Sequence, residues 1–204
     1  MNKIKMTCGG SDIIFTTNSQ KMTEYFMTDQ EQIPETIPGI KMTQLNSSDD
    51  TSELPRLQYI DAKDRNASID PIKNQAEISV PERELYIPDL VYLALSMFAK
   101  ELNKNDKYFI HAAVIEKDGL GTVMSGEPGS GKTTLALQFC MKNGYNFVAN
   151  DRAIMGLKNG IPKIYNGTMQ THIRLGVIHQ YFPKLIPKID PVKIQQPWNN
   201  KIYI

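Results

Sequence analysis

Gly126-Glu127-Pro128-Gly129-Ser130-Gly131-Lys132-Thr133 meets every fixed position of the pattern G-x-x-x-x-G-K-[ST]. The apolar run Gly121-Thr122-Val123-Met124-Ser125 leads into it, and the helix-forming run Lys132-Thr133-Thr134-Leu135-Ala136-Leu137-Gln138-Phe139-Cys140 follows. Strand before and helix after are the setting this Walker A pattern requires. Glycines let backbone N–H groups turn inward around phosphate oxygens, and the helix N-terminus adds a positive dipole end. The expected phosphate contacts are therefore Gly126, Glu127, Pro128, Gly129, Ser130, Gly131, Lys132, Thr133 and Thr134. Lys132 is expected at the β- and γ-phosphates, and the Thr133 hydroxyl on Mg²⁺. The implied ligands are ATP or GTP together with Mg²⁺.

Working backwards from the loop, Tyr108-Phe109-Ile110-His111-Ala112-Ala113-Val114-Ile115-Glu116 reads as one strand rich in β-formers. Asp118-Gly119-Leu120-Gly121 reads as a turn, with Thr122 to Ser125 as the return strand. The strand feeding the loop is thus expected to be antiparallel to the one before it. If paired positions sum to about 239, His111 lies beside Pro128 at the mouth of the loop. A lone strand histidine is ordinarily structural, but one beside a phosphate site has proton chemistry open to it.

Working forwards, Asn143-Gly144 is a helix stop. Tyr145 to Ala149 is a compact strand ending in Asn150-Asp151-Arg152, and an acid there is where Mg²⁺-bound water or a substrate hydroxyl is handled. Ala153 to Leu157 and Ile161 to Tyr165 flank Lys158-Asn159-Gly160, a hairpin signal. Thr168 to Gly176 reads as a strand running into a helix near Val177 to Phe182. The tail carries Pro183, Pro187, Pro191 and Pro197, so no regular helix is expected and an extended surface path is.

Residues 1–60 are weakly patterned. Short strands are expected at Ser11 to Thr17 and Ile40 to Leu45, a helical turn or two at Ser19 to Met27, and a polar loop from Asn46 to Glu53. Ala76 to Val80 and Glu84 to Ile87 flank Pro81-Glu82-Arg83 as strand–turn–strand, after which Asp89 should cap a helix. Leu90, Leu93, Ala94, Met97 and Phe98 give that helix one apolar stripe, widened by Val91 and Leu95. The expected organisation is a strand-rich region at 1–87, a nucleotide-binding domain at 88–182 and a Pro-rich basic tail at 183–204.

The chain has 204 residues and a net charge of +1, yet from Arg152 onward it holds eight Lys/Arg and one acid, Asp190. Such an asymmetry suits an acidic partner, although a solvated basic face is the commoner meaning. Few aromatics interleave those charges, so a nucleic-acid partner is not expected. The start has no apolar run behind its basic residues and no stretch approaches a membrane span. The expectation is a cytoplasmic protein with no membrane partner. Cys8 and Cys140 lack metal-type spacing, and Cys140 on the loop helix is expected to be a buried thiol.

The stretches His111 to Ile115, Lys117 to Gly121, the phosphate loop, and Phe147-Val148-Ala149-Asn150-Asp151-Arg152 resemble the HPr kinase/phosphorylase family in order and spacing. The histidine stands 21 residues before Lys132 and Asp151 stands 19 after it, about one residue from the family spacing. The resemblance covers about residues 88–180. It implies an α/β fold of the phosphoenolpyruvate carboxykinase type, a mixed sheet whose phosphate loop is fed by an antiparallel hairpin. It further implies an ATP-dependent kinase in which Asp151 is the general base, His111 supports the transferring phosphate or orients Asp151, and Lys132 and Thr133 hold the triphosphate and Mg²⁺. Oligomerisation is a further implication. The chain departs from the pattern at Asn150, where the family has an acid, and has no Glu after residue 127 where the family draws a later metal ligand. The metal set is then Thr133, Asn150 and Asp151, with Arg174 available to steady phosphate charge. No HPr-binding segment is recognisable.

The leading expectation is phosphoryl transfer to a serine-type hydroxyl on a peptide, protein or small molecule. A nucleotide-binding regulator without turnover is the alternative, and a small-metabolite kinase of the shikimate or gluconate type a distant one. A RecA-like ATPase needs a metal acid on a distant strand. Only Asp151 and Asp190 follow Thr133, which argues against it.

Overall fold

The weakly patterned N-terminal stretch forms the largest sheet of the molecule, and its alternation explains why. The computed structural model describes residues 1–28, 33, 36–169, 171–188, 194–195 and 201–203. They divide into two compact units, Met1–Tyr108 and Phe109–Ile204. In β1 (Asn2–Cys8), Ile4, Met6 and Cys8 are buried and the residues between them half-exposed, the two-residue period of a strand with one face on a core. β2 (Ser11–Thr17) is buried along nearly its whole length, as a central strand must be. With β3 (Lys41–Leu45), β4 (Arg56–Asp61), β5 (Asn66–Asp70) and β6 (Gln75–Val80) they make a six-stranded sheet of order β3-β1-β2-β4-β6-β5. The β2–β4 and β4–β6 pairs are parallel and the others antiparallel, so this sheet is mixed.

Two helices belong to this unit. α1 (Gln20–Thr28) starts at Ser19, whose hydroxyl accepts from the Met22 N–H at 3.1 Å and so caps it. α2 (Ile87–Asn103) packs on β2 and buries Leu90, Val91, Ala94, Met97, Phe98 and Leu102, the stripe read from the sequence. Its start differs from expectation. Glu84 to Ile87 is not a strand: a 3-10 turn occupies Glu82–Glu84, and the helix begins at Ile87 with Pro88 in its first turn. Proline's fixed φ suits that position and needs no N–H partner. Asp89 therefore lies inside the first turn, favourable to the dipole, and does not cap. Because α2 packs on β2, it belongs to the first unit, and the division expected at 87/88 falls at 108/109.

The second unit is built around β8 (Ala113–Lys117), whose Ala113, Val114 and Ile115 are all buried. The strand expected from Tyr108 to Glu116 is in fact two, β7 (Lys107–Ile110) and β8, broken at His111-Ala112. β8 pairs antiparallel with β9 (Leu120–Met124) and with β10 (Asn146–Ala149), in the order β10-β8-β9. The loop's own sheet is thus small and antiparallel, while the mixed sheet is the N-terminal one. Alternate β8 residues serve two clusters. Ala113 and Ile115 pack with Ala136 of α3 (Lys132–Asn143), and Val114 packs with Ala149 and Ala153 on the opposite side. Gly144, at φ 69°, ends α3 as expected.

β11 (Ala153–Lys158) and β12 (Ile161–Gly167) form the expected second hairpin, with Asn159-Gly160 at its turn. β13 (His172–Arg174) runs into α4 (Leu175–Tyr181), and Ile173, Ile178 and Phe182 cluster beside Leu137 of α3. Pro183–Lys188 is a 3-10 helix rather than an extended path. β14 (Ile194–Gln195) and β15 (Lys201–Tyr203) pair, and β15 pairs with β13. Pro191, Pro197 and Asp190 lie outside the described residues. No described helix is long and apolar enough to cross a membrane.

Candidate functional site

The β8–β9 turn fixes everything near the loop. Asp118 and Gly119 take φ values of 54° and 80°, the pair of positive angles that a two-residue hairpin turn needs. Lys117 therefore faces Leu120 and Ala113 faces Met124, so paired positions sum to 237 and not 239. The Asp-Gly dipeptide alone should have given that register. Even so, His111 shares one cavity with the start of the loop. The cavity holds about 720 Å³ and is lined by Ile110, His111, Ala112, Val123, Ser125, Gly126, Glu127, Pro128 and Met155. This volume accommodates a small molecule or a large side chain. Ala112 and Val123 line it, which puts it on the sheet face opposite α3.

The loop itself is exposed from Ser125 to Gly131. Gly126, Gly129 and Gly131 have φ of 155°, 82° and 88°, values that favour glycine. A Cβ at Gly129 or Gly131 would meet nothing within 4 Å, so no neighbouring atoms crowd the loop at these positions. The Lys132 ammonium donates to the carbonyls of Gly126 and Glu127 at 2.8 and 3.2 Å, arching back over the loop. Ser130 N–H donates to the Glu127 carbonyl at 3.1 Å and closes the turn. Thr134 is half-buried in the first turn of α3.

On the other side, the Thr133 hydroxyl donates to Asn150 Oδ1 at 2.6 Å. That bond joins the first turn of α3 to the end of β10. Asn150 is 2% exposed, whereas Asp151 is exposed. The backbone around them is unusual. Arg152 N–H donates to the Asn150 carbonyl at 2.8 Å across Asp151, which has φ 65°. This is a γ-turn of the rarer, positive-φ kind, a strained conformation that persists only where its surroundings enforce it.

Thr168 enforces it. Its hydroxyl bonds to the Asn150 carbonyl and accepts from Arg152 N–H at 3.2 Å. Its carbonyl accepts from Asn150 N–H at 2.7 Å, and its N–H donates to the Arg152 carbonyl at 2.9 Å. Gly167 lets that strand end approach: a Cβ there would stand 2.1 Å from Ala149 Cβ and 3.0 Å from its Cα. Sequence reading passed over both residues, because their role depends on a partner strand some 16 to 18 residues away. Ser125 and Met155 were likewise missed as cavity residues. A two-residue period carried forward from Val123 of β9 would have reached Ser125.

Arg174 is exposed at the N-terminal end of α4 and does not line the cavity. Among the described residues no group of three or more His, Cys, Asp or Glu is assembled as a metal site. Cys140 is half-buried against Ala136 and Phe139, and partial burial raises its thiol above the usual range. Compared with known proteins, the chain matches no family model and no curated sequence.

Proposed function

We propose that the second unit is an ATP-dependent phosphotransferase acting on a hydroxyl, with the arrangement of the HPr kinase/phosphorylase group. The observation that carries this reading is the Thr133–Asn150 hydrogen bond, which joins the N-terminus of the loop helix to the Asn150-Asp151 turn. Because Thr133 gives its proton to Asn150, its oxygen lone pairs stay available to a cation. The residues therefore fit Mg²⁺ as its nucleotide complex, held through Thr133 and the Asn150–Asp151 pair, with phosphate and water oxygens completing the set. Bound there, the metal supplies neutralisation of phosphate charge.

The loop N–H groups and the α3 N-terminus receive the phosphates, with Lys132 swinging from the loop carbonyls onto their oxygens. The acceptor O–H gives its proton to the Asp151 carboxylate. Its oxygen bonds the γ-phosphorus as the bond to the β-bridging oxygen breaks, leaving the nucleoside diphosphate. His111, across the cavity that opens on Glu127 and Pro128, orients the acceptor. Arg174 has no assigned part in this scheme.

Asn150 favours a second reading, a regulator that binds nucleotide without turnover. It is neutral and already committed to Thr133, which leaves Asp151 as the one carboxylate of the pair. The two readings part in one experiment. Purified protein is given ATP, Mg²⁺ and hydroxyl acceptors, and nucleotide binding and γ-phosphoryl transfer are both measured. Asp151→Asn should lower transfer by about 10²- to 10⁴-fold and weaken ATP–Mg²⁺ binding far less. Transfer that survives Asp151→Asn removes the base role, and binding without any transfer selects the regulator.

A further inference from the structure

β9 borders its sheet and has a free edge. Among the described residues, β9 is hydrogen-bonded to β8 alone. Lys117 and Leu120 flank the two-residue turn and so exchange both ladder bonds, and such pairs alternate along the hairpin. Thr122 and Met124 therefore point their backbone groups at β8, while the N–H and C=O of Gly121 and Val123 point outward. Side chains do not cover them: Leu120 is 76% and Val123 43% exposed.

Sheets ordinarily guard such edges with charge or proline. The other bordering strands of five or more residues do so: β3 carries Lys41, β5 carries Asp70, and β12 carries Pro162 and Lys163. β9, Leu-Gly-Thr-Val-Met, carries neither. It is also the strand that leads to the reaction site. One residue, Ser125, separates it from Gly126, and both Val123 and Ser125 line the cavity that holds His111.

We propose that the acceptor is an extended peptide segment that adds a strand to the open edge of β9 and delivers its serine or threonine hydroxyl to the cavity beside His111. As a statement about the acceptor it rests on the phosphotransferase reading. Main-chain bonds to Gly121 and Val123 supply the affinity. The apolar walls at Ile110, Val123 and Met155 select a residue with an aliphatic side chain near the hydroxyl.

Proline substitution tests the edge without touching the β8 ladder, since the N–H it removes faces outward. Gly121→Pro lies outside the cavity lining, its φ is not positive, and a Cβ there meets nothing within 4 Å. Val123→Pro is the second variant. Full-length protein with ATP and Mg²⁺ is screened against an array of short extended peptides, each with one serine, reading peptide capture and phosphoryl transfer separately. Each proline should weaken capture, and raise the peptide KM, about tenfold. With Gly121→Pro the unfolding midpoint and ATP affinity should stay unchanged. Capture that neither proline weakens, or an array with no captured peptide, overturns the proposal. Capture through β9 by a protein that does not bind ATP sinks the kinase reading and leaves peptide docking standing.

Discussion

The two units bury very different material. The largest fully buried side chains, among them Tyr59, Phe15, Phe26, Phe98 and Met22, all belong to the first unit. The second buries five alanines, Ala112, Ala113, Ala136, Ala149 and Ala153, with Val114 and Ile115 in two clusters and Ile173, Ile178 and Phe182 in a third, and leaves Leu120, Val123, Leu135 and Met141 exposed. Apolar burial stabilises by about 25 cal/mol per Å² of apolar surface, so large side chains dominate a core. The first unit thus draws its stability from packing. In the second, turns, hydrogen bonds and close backbone approach hold the loop and the Asn150-Asp151 turn in fixed places without covering them.

The widest test of this contrast compares one truncation in each unit. Phe15, whose ring centroid lies 4.4 Å from that of Phe26, fills the centre of β2. Phe15→Ala should cost about 3–5 kcal/mol. Ala136 is the one fully buried side chain of α3, and Ala136→Gly should cost about 1 kcal/mol. Urea dependence of amide protection reads both, in β1, β2 and β4 for the first and in α3 and β8 for the second. Equal costs would break the contrast.

Close approach predicts the next effect. Gly167→Ala sets a methyl against Ala149 and its backbone, an overpacking expected to cost about 1–3 kcal/mol. Its mark should be local: Asn150 and Arg152 amides, both bonded to Thr168, lose protection and ATP–Mg²⁺ affinity falls. If the substitution destabilises the unit uniformly and spares the affinity, Gly167 is ordinary packing and does not serve the turn.

What could be read from the sequence follows the same division. The phosphate loop, the Asp118-Gly119 and Asn159-Gly160 turns and the Gly144 stop were legible because each is decided within a few residues by glycine's conformational freedom or by turn chemistry. The α2 stripe was legible from its helical period. β4 was not: it pairs only in parallel, with β2 and β6, and no turn signal marks either pairing. β1 and β5 were open to reading, since Gly9-Gly10 turns β1 into β2 and residues 71–74 turn β5 into β6. The break at His111-Ala112 was hidden because β-formers flank it on both sides, although Ala112 and Ala113 are themselves poor strand formers. The γ-turn at Asp151 was hidden for a different reason. Asp tolerates positive φ, but what enforces it is Thr168, which only the folded strand end supplies.

The smallest effect lies where the second unit's hydrogen bonds meet water. The Glu116 carboxylate accepts from Asn146 Nδ2 at 2.8 Å and from the Gly119 N–H at 2.6 Å, so one side chain ties β10 to β8 and closes the β8–β9 turn. The Asn146 bond first, and the Gly119 bond second, hold its pKa below the ordinary 4.5, while slight desolvation opposes them. A depressed folded pKa means that the ionised form is the stabilised one. Its contribution is fully present above the unfolded value of about 4.5 and is lost as pH falls through the folded value beneath it. Glu116→Gln keeps an acceptor but cannot ionise, so the mutant lacks this pH term. The gap in urea midpoint between wild type and Glu116→Gln should be constant at neutral pH and shrink below about pH 4.5. Exposure of the carboxylate keeps that gap small. A gap that persists unchanged into strong acid would show that the carboxylate's charge adds nothing to these bonds, and that the β8–β9 turn is held by Asp118-Gly119 geometry alone.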